Sequence, residues 1–358
     1  MLFDERPKSR REDLYDRARE LNDILNNIDK PMIVVTGIRR IGKTSVINVA
    51  LNEVGLPYVL IDCRSLRDNY GRPDLYRLIS NALSSSLDKL VDVLRRIRGI
   101  SIMGNTVEIR WRGREQVSLA ELFDRLNERR VVVAFDEAQR LRGPLSGEVL
   151  NALAHAYDFD RNVTFILTGS EVGLLYDFIG VEDPNSPLFG RYFYEVRIDR
   201  FNRDESMDFL TKGFMEFGVD VPRSVIEEIV DVFDGIPGWL VYAANSYLRG
   251  VRDLAMIREA AIREAMNELE RFVRIRANYS VINAKRTVLV LRCIANGSNT
   301  WSKVARCVED LEGVSVSPTS LSNILNTLER LSIIRDYQFL DPMYREAAIR
   351  LTMPFNEV

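Results

Sequence analysis

Gly37-Ile38-Arg39-Arg40-Ile41-Gly42-Lys43-Thr44-Ser45 stands between the apolar run Met32-Ile33-Val34-Val35 and the stretch Val46-Ile47-Asn48-Val49-Ala50-Leu51, an order that reads strand, loop, helix. The spacing G-x-x-x-x-G-K-[ST] puts glycines where the loop curls tightly and where backbone must approach a ligand, because a Cβ there would clash. Successive N–H groups from about Arg40 to Ser45 then converge at the start of a helix, whose dipole adds positive potential. Such a concavity favours a polyphosphate. Lys43 is placed to reach its β- and γ-phosphates, and the Thr44 hydroxyl to ligate Mg²⁺.

The second anchor is Val131-Val132-Val133-Ala134-Phe135-Asp136-Glu137. An uninterrupted apolar run reads as a strand buried on both faces, as in a parallel sheet, and a carboxylate pair emerges at its C-terminal end. Ligands of open α/β sheets bind at that edge. Asp136 is placed to hold Mg²⁺, and Glu137 to orient and deprotonate a water that attacks the γ-phosphate.

Around these anchors the coarse reading is regular. Leu14, Ala18, Leu21, Ile24, Leu25 and Ile28 give one helical face after a mixed-charge opening that reads as a solvated arm. Tyr58 to Asp62 reads as a strand, 74–98 as a helix, 118–128 and 147–157 as helices, and Val163 to Thr168 as a further strand ending at Gly169-Ser170. The Thr168 and Ser170 hydroxyls are positioned to sense the γ-phosphate or place the water. Pro184, Pro187 and Gly190 mark a loop, and Arg191 precedes a fifth strand, Tyr192 to Ile198. An arginine there can neutralise transition-state charge from a neighbouring subunit or domain.

Between the second strand and its successor the periodicity changes. Ile100-Ser101-Ile102 and Val107-Glu108-Ile109 alternate around Gly104-Asn105, a β-hairpin signal. Arg95, Arg96, Arg98, Arg110, Arg112 and Arg114 flank it and make the most basic patch of the chain. It suits a nucleic acid, an acidic partner, or solvent alone.

The chain has 358 residues, more than one hydrophobic core usually serves, and a net charge of −3, so no global basic field attracts nucleic acid. Cys63, Cys293 and Cys307 lack metal-site spacing and read as reduced, buried thiols. The lone histidine, His155, reads as structural. No leader opens the chain and no apolar run approaches the roughly 20 residues a membrane span needs, so a soluble cytoplasmic protein with no membrane contact is expected.

From Asn202 the strands stop. Residues 203–217, 222–233 and 238–275 read as helices broken at Gly218 and at Asp234-Gly235-Ile236-Pro237-Gly238, which fits a helical lid. Helical patterns at 282–295, 299–309 and 318–331, followed by Ile333 to Phe339 as a short hairpin, suggest a winged helix-turn-helix. Its recognition helix shows Ser, Thr and Asn between Pro318 and Thr327 but no Lys or Arg, so DNA and protein partners stay equally open.

Together these motifs resemble the archaeal ATPases of the AAA+ superfamily, grouped with the signal-transduction ATPases with numerous domains. The marks beyond the loop and Asp136-Glu137 are Leu14-Tyr15-Asp16-Arg17-x-x-Glu20-Leu21, Thr168-Gly169-Ser170, Pro187-Leu188-Phe189-Gly190-Arg191, Gly235-Ile236-Pro237-Gly238-Trp239 and Asp341-Pro342-Met343-Tyr344-Arg345. The resemblance implies a P-loop α/β domain at 1–200 with sheet order 5-1-4-3-2 and the hairpin at 99–117 as an insertion, a lid at 201–276 and a winged domain at 277–358. It implies ATP or ADP as ligand, with Tyr15 to Arg17 lining the adenine pocket, Pro237 closing it, and Arg191 near the γ-phosphate. No second-sensor arginine is evident in the lid, and the resemblance implies an ATP-driven switch that holds ADP when closed and can oligomerise on binding ATP. The alternative is a nucleotide-regulated DNA-binding protein akin in architecture to origin-recognition ATPases, with winged domain and basic hairpin on the same duplex. A P-loop kinase fits poorly, since Glu137 suits water activation and no second substrate pocket is identifiable.

Overall fold

The computed structural model describes residues 1–113 and 116–352, so Arg114 of the basic patch lies outside the described residues. The chain divides into two compact units, Pro7–Asp199 and a second made of Met1–Arg6 with the residues from Arg200 onward.

The first unit is built on strands β1 (Met32–Thr36), β2 (Tyr58–Asp62), β3 (Ile100–Met103), β4 (Thr106–Ile109), β5 (Val131–Asp136), β6 (Val163–Gly169) and β7 (Tyr194–Arg197). With β3 and β4 set apart as a hairpin, the remaining five form one parallel sheet in the order β2-β5-β6-β1-β7, which is the expected 5-1-4-3-2. Every residue of β1, β5 and β6 is buried, as their unbroken apolar runs require. The edge strand β2 buries only Val59 and Ile61. Helices α1 (Ala18–Asn26) and α2 (Lys43–Glu53) pack on one face. On the other lie α3 (Arg72–Ser85), α4 (Leu87–Leu94), α5 (Leu119–Leu126), α6 (Ser146–Phe159) and α7 (Val172–Ile179). The helix expected at 74–98 is broken at Ser86, which leaves the helical region at φ −113° and ψ 12°.

The hairpin is anchored rather than free. Val107 and Ile109 bury their side chains, and their N–H groups donate to Ser84 Oγ at 2.8 Å and Ser80 Oγ at 3.2 Å on α3. One turn of α3 separates the two hydroxyls, so they cover the outer edge of β4, which would otherwise be open to further pairing.

His155 on α6 accepts or donates through Nε2 to Asp124 of α5 at 2.8 Å. Beside it Asp160 is 4% exposed with Oδ2 unpartnered among the described residues, and burial together with the Asp124 carboxylate pushes its pKa up to about 6, against a smaller opposing pull from His155. A carboxyl that holds its proton more tightly folded than unfolded favours the native state in acid and loses that contribution as pH rises through about 6. Asp160→Asn is therefore expected to stabilise the unit by about 1–2 kcal/mol at pH 7.5 and by much less at pH 4.5. Thermal melts at both values check this, and an equal effect at both would refute it.

The second unit carries α8 (Arg203–Glu216), α9 (Arg223–Phe233), α10 (Pro237–Leu248), α11 (Leu254–Ala277), α12 (Val281–Ala295), α13 (Trp301–Glu312), α14 (Pro318–Arg330), the wing β8 (Ile334–Arg335) with β9 (Gln338–Phe339), and α15 (Pro342–Arg350). Asn202 and Glu205 form a reciprocal cap at the start of α8. The single helix expected at 238–275 is two, because Gly250 takes φ +98° and Asp253 caps a new start by accepting from Ala255 N–H at 2.9 Å. Gly235 must be glycine: a Cβ there would lie 2.0 Å from the Phe201 carbonyl oxygen. Two of the sequence marks, 102 residues apart, meet when buried Trp239 Nε1 donates to Asp341 Oδ2 at 2.8 Å.

Two expectations are corrected here. The opening of the chain is not a solvated arm, since Leu2 and Phe3 are buried and the Phe3 ring packs against Phe209, Phe214 and Phe217. Gly213 makes room for it, as a Cβ there would stand 2.2 Å from the ring. Nor are all cysteines thiols: Cys293 on α12 and Cys307 on α13 form a disulfide, while Cys63 remains free and buried. Among the described residues, no helix is long and apolar enough to cross a membrane.

Candidate functional site

The loop after β1 turns where the glycines allow it. Gly37 adopts φ +154°, and a Cβ there would come within 2.6 Å of the Ile198 carbonyl oxygen; Gly42, at φ +100°, leads directly into α2. Between them Arg40 is also left-handed at φ 64°, a conformation that costs a non-glycine residue energy and collects at binding loops. The first α2 backbone bond runs from Val46 N–H to Gly42 O, so the amides of Lys43, Thr44 and Ser45 are the helix's unsatisfied first turn. The Ser45 side chain is engaged elsewhere, accepting from Lys8 N–H at 3.0 Å. Arg39 pairs with Glu171 at 2.9 Å, and buried Ile41 fastens the loop to the core.

The cation of the site is held by loop carbonyls, and its carboxylates by hydroxyl and amide donors. Lys43 is 5% exposed and donates to the carbonyls of Gly37 at 2.9 Å and Ile38 at 3.0 Å, with Glu137 Oε1 3.9 Å away. Burial pulls its pKa below the usual lysine value, opposed by Glu137 and Asp136. Asp136 accepts from Thr44 Oγ1 at 2.9 Å on one oxygen and from Thr168 Oγ1 at 2.5 Å on the other. Thr168 Oγ1 also accepts from Glu137 N–H at 3.0 Å, so one hydroxyl of β6 holds both carboxylate residues in register.

Glu137 sits in the left-handed region at φ 55°, immediately after β5. Its Oε2 accepts from Ser170 Oγ at 2.6 Å, Ser170 N–H at 3.1 Å and Gln139 Nε2 at 2.6 Å. Burial works to raise its pKa, but the Lys43 charge and the Ser170 and Gln139 hydrogen bonds outweigh it, and the group rests below the ordinary glutamate value. It is thus ionised at neutral pH, with Oε1 left facing Lys43. Gln139 is a residue the sequence reading passed over. It is 4% exposed in the 3-10 turn Ala138–Leu141, and only its place two positions beyond the carboxylate pointed to it.

Arg17 is nearly buried, but its guanidinium donates to the backbone of Asp199 at 2.8 Å and of Ile41 at 3.5 Å, so it braces the loop against the end of β7. Tyr15 is half-buried in the turn leading to α1. Pro237 lies in the second unit, as the first residue of α10.

Arg191 is not near the loop of its own chain. It precedes β7, which runs parallel to β1, and it makes a two-bond pair with Asp158 at 3.0 and 2.6 Å in the last turn of α6, the helix that leads into the start of β6. Both features belong to the sheet's N-terminal edge, whereas the loop, Asp136 and Thr168 to Ser170 lie at the C-terminal edge. This position sets Arg191 apart from the loop, so its expected part near a γ-phosphate rests on a neighbouring subunit or domain.

The sheet order, the loop and the carboxylates at the strand ends define a P-loop ATPase fold. Residues 14–243 match the model of an ATPase domain predominantly from Archaea, and the chain belongs to that family. Residues 282–345 match the model of the MCM protein C-terminal winged helix-turn-helix domain. Among solved structures it is similar to the Walker-type ATPase PABY2304 of Pyrococcus abyssi, with 36% identity, a TM-score of 0.81, and coverage of 97% of this chain and 99% of that one. A fainter likeness extends to AMPPCP-bound DnaA from Aquifex aeolicus, at 13% identity, a TM-score of 0.44 and coverage of 90% and 92%. None of the curated proteins matches the chain.

Proposed function

We propose that the protein binds and hydrolyses ATP as a molecular switch, coupling nucleotide state to a lid at 201–276 and a winged-helix domain at 277–358. The observation that carries this reading is the closed set of contacts among Lys43, Thr44, Asp136, Glu137, Thr168 and Ser170 at one edge of the sheet. Among the described residues the partners of Lys43 are two loop carbonyls and a carboxylate 3.9 Å away, which phosphate oxygens can replace. A hydroxyl and a carboxylate oxygen already 2.9 Å apart, from Thr44 and Asp136, are the hard donors that suit Mg²⁺. When bound, that ion would neutralise charge on the β- and γ-phosphates.

The chain's own residues then divide the work. The amides of Lys43 to Ser45 and the Lys43 ammonium hold the phosphates. Glu137, ionised and fixed through Oε2, takes a proton from water on Oε1 as the water oxygen bonds to the γ-phosphorus. The bond from that phosphorus to the bridging oxygen breaks, and ADP leaves with the bridging oxygen's electron pair. Tyr15 is assigned to the adenine, and Arg191 to the nucleotide of a neighbouring copy when copies assemble on ATP.

The test is nucleotide content and turnover. Freshly purified protein is expected to release adenine nucleotide on denaturation, to hydrolyse ATP with Mg²⁺, and to stop when EDTA removes it; Lys43→Ala is expected to come off the column empty. A Lys43→Ala protein that still binds and hydrolyses ATP would overturn the reading.

A further inference from the structure

We propose that the basic face of the β3–β4 hairpin and the end of α4 is a surface for the phosphate backbone of a nucleic acid. The surface is independent of the ATPase reading. Between Arg95 and Gly113 the chain carries Arg95, Arg96, Arg98, Arg110 and Arg112 against a single carboxylate, Glu108, in a protein whose net charge is −3. A local field of the opposite sign to the whole is what electrostatic capture of a polyanion needs.

Position makes this more than a solvated charge run. The hairpin's apolar side is buried at Val107 and Ile109 and its edge is tied to Ser80 and Ser84, so it is held as a rigid platform. Along the strand and just past it, Glu108, Arg110 and Arg112 face out while Ile109 faces in and Trp111 is half-buried. The Arg112 guanidinium lies 4.9 Å from the centre of the Trp111 ring, an exposed cation over an aromatic face. Met103 at the tip is 63% exposed, an apolar contact beside the cations. Arg96 is drawn to Glu128 only at 3.5 Å, with its side chain 71% exposed, a weak pair that a phosphate can displace. By contrast α14 offers no Lys or Arg before Arg330 in its last turn, so that helix supplies few phosphate contacts of its own. Arginines on a fixed frame with little base-edge chemistry predict affinity for backbone without strong sequence preference.

The experiment is fluorescence anisotropy of the full chain with labelled duplex DNA, single-stranded DNA and single-stranded RNA over a range of salt. Binding is expected to fall linearly in log K against log salt. Each of Arg95→Ala, Arg110→Ala and Arg112→Ala should lower the slope by about one for duplex and somewhat less for single strands. The triple Ala variant should lose about 100-fold at low salt while melting at the natural temperature and keeping the natural ATPase rate. Arg223→Ala, an exposed arginine on α9, should bind as before. The arm that binds tightest names the nucleic acid. No binding at low salt, binding untouched by the three arginines, or equal competition by an acidic peptide would each overturn the proposal.

Discussion

Glu137→Gln is expected to hold ATP as the natural chain does and to lose turnover by a factor of about 10² to 10⁴, the contribution of a positioned general base. The geometry explains why binding survives. Glu137 Oε2 takes three hydrogen bonds from Ser170 and Gln139, and the amide oxygen of glutamine can accept them in its place. What glutamine cannot do is accept the water's proton on the second atom. Removing a clamp donor acts one step further back: Gln139→Leu leaves Glu137 charged but less well aimed, so a fall in kcat of about 10-fold with an unchanged KM is expected. In a Glu137→Gln background the same change should cost nothing more, because Gln139 works only through that carboxylate. Single-turnover hydrolysis with nucleotide binding measured alongside checks both. Retained turnover in Glu137→Gln would remove Glu137 from the mechanism, and additive losses in the double variant would remove Gln139 as its positioning residue.

The sheet edge that carries the loop and the carboxylates was legible because its signals are local. Two glycines five residues apart, Gly37 and Gly42, and a carboxylate pair ending an apolar run each sit within a short window, and the buried strands β1, β5 and β6 announce themselves by composition. What escaped depends on pairing between distant segments. Nothing beside Phe3 tells that Gly213 will leave space for its ring, and nothing beside Arg191 tells that Asp158 will hold it at the far edge of the sheet. Gln139 escaped for another reason: a glutamine next to a carboxylate pair is ordinary on a polar turn, and only its burial and its 2.6 Å bond to Glu137 set it apart. α15 was a signal missed rather than absent, since Asp341-Pro342 is a cap followed by proline at the first helical position.

Reduction of the Cys293–Cys307 disulfide is expected to destabilise the second unit by about 3 kcal/mol, the loop-closure entropy released to the unfolded chain by a crosslink of this span. The two cysteines are 14 residues apart, on consecutive helices, and no short-range pattern marks them as partners; the packing of α12 on α13 brings their Cα atoms to 6.0 Å. The same helix pair is also joined by Arg286 and Glu312 at 2.9 Å, so reduction loosens the module without separating its helices. Thiol counting comes first. The denatured, unreduced chain should show one thiol, Cys63, and the reduced chain three. Melts with and without reductant then measure the loss, and a Cys293→Ala/Cys307→Ala protein should melt low and ignore reductant. ATP turnover in the first unit should survive, because the crosslink lies wholly in the second. Three thiols in unreduced protein, or a melt indifferent to reductant in the natural chain, would mean that the helices hold together without the crosslink.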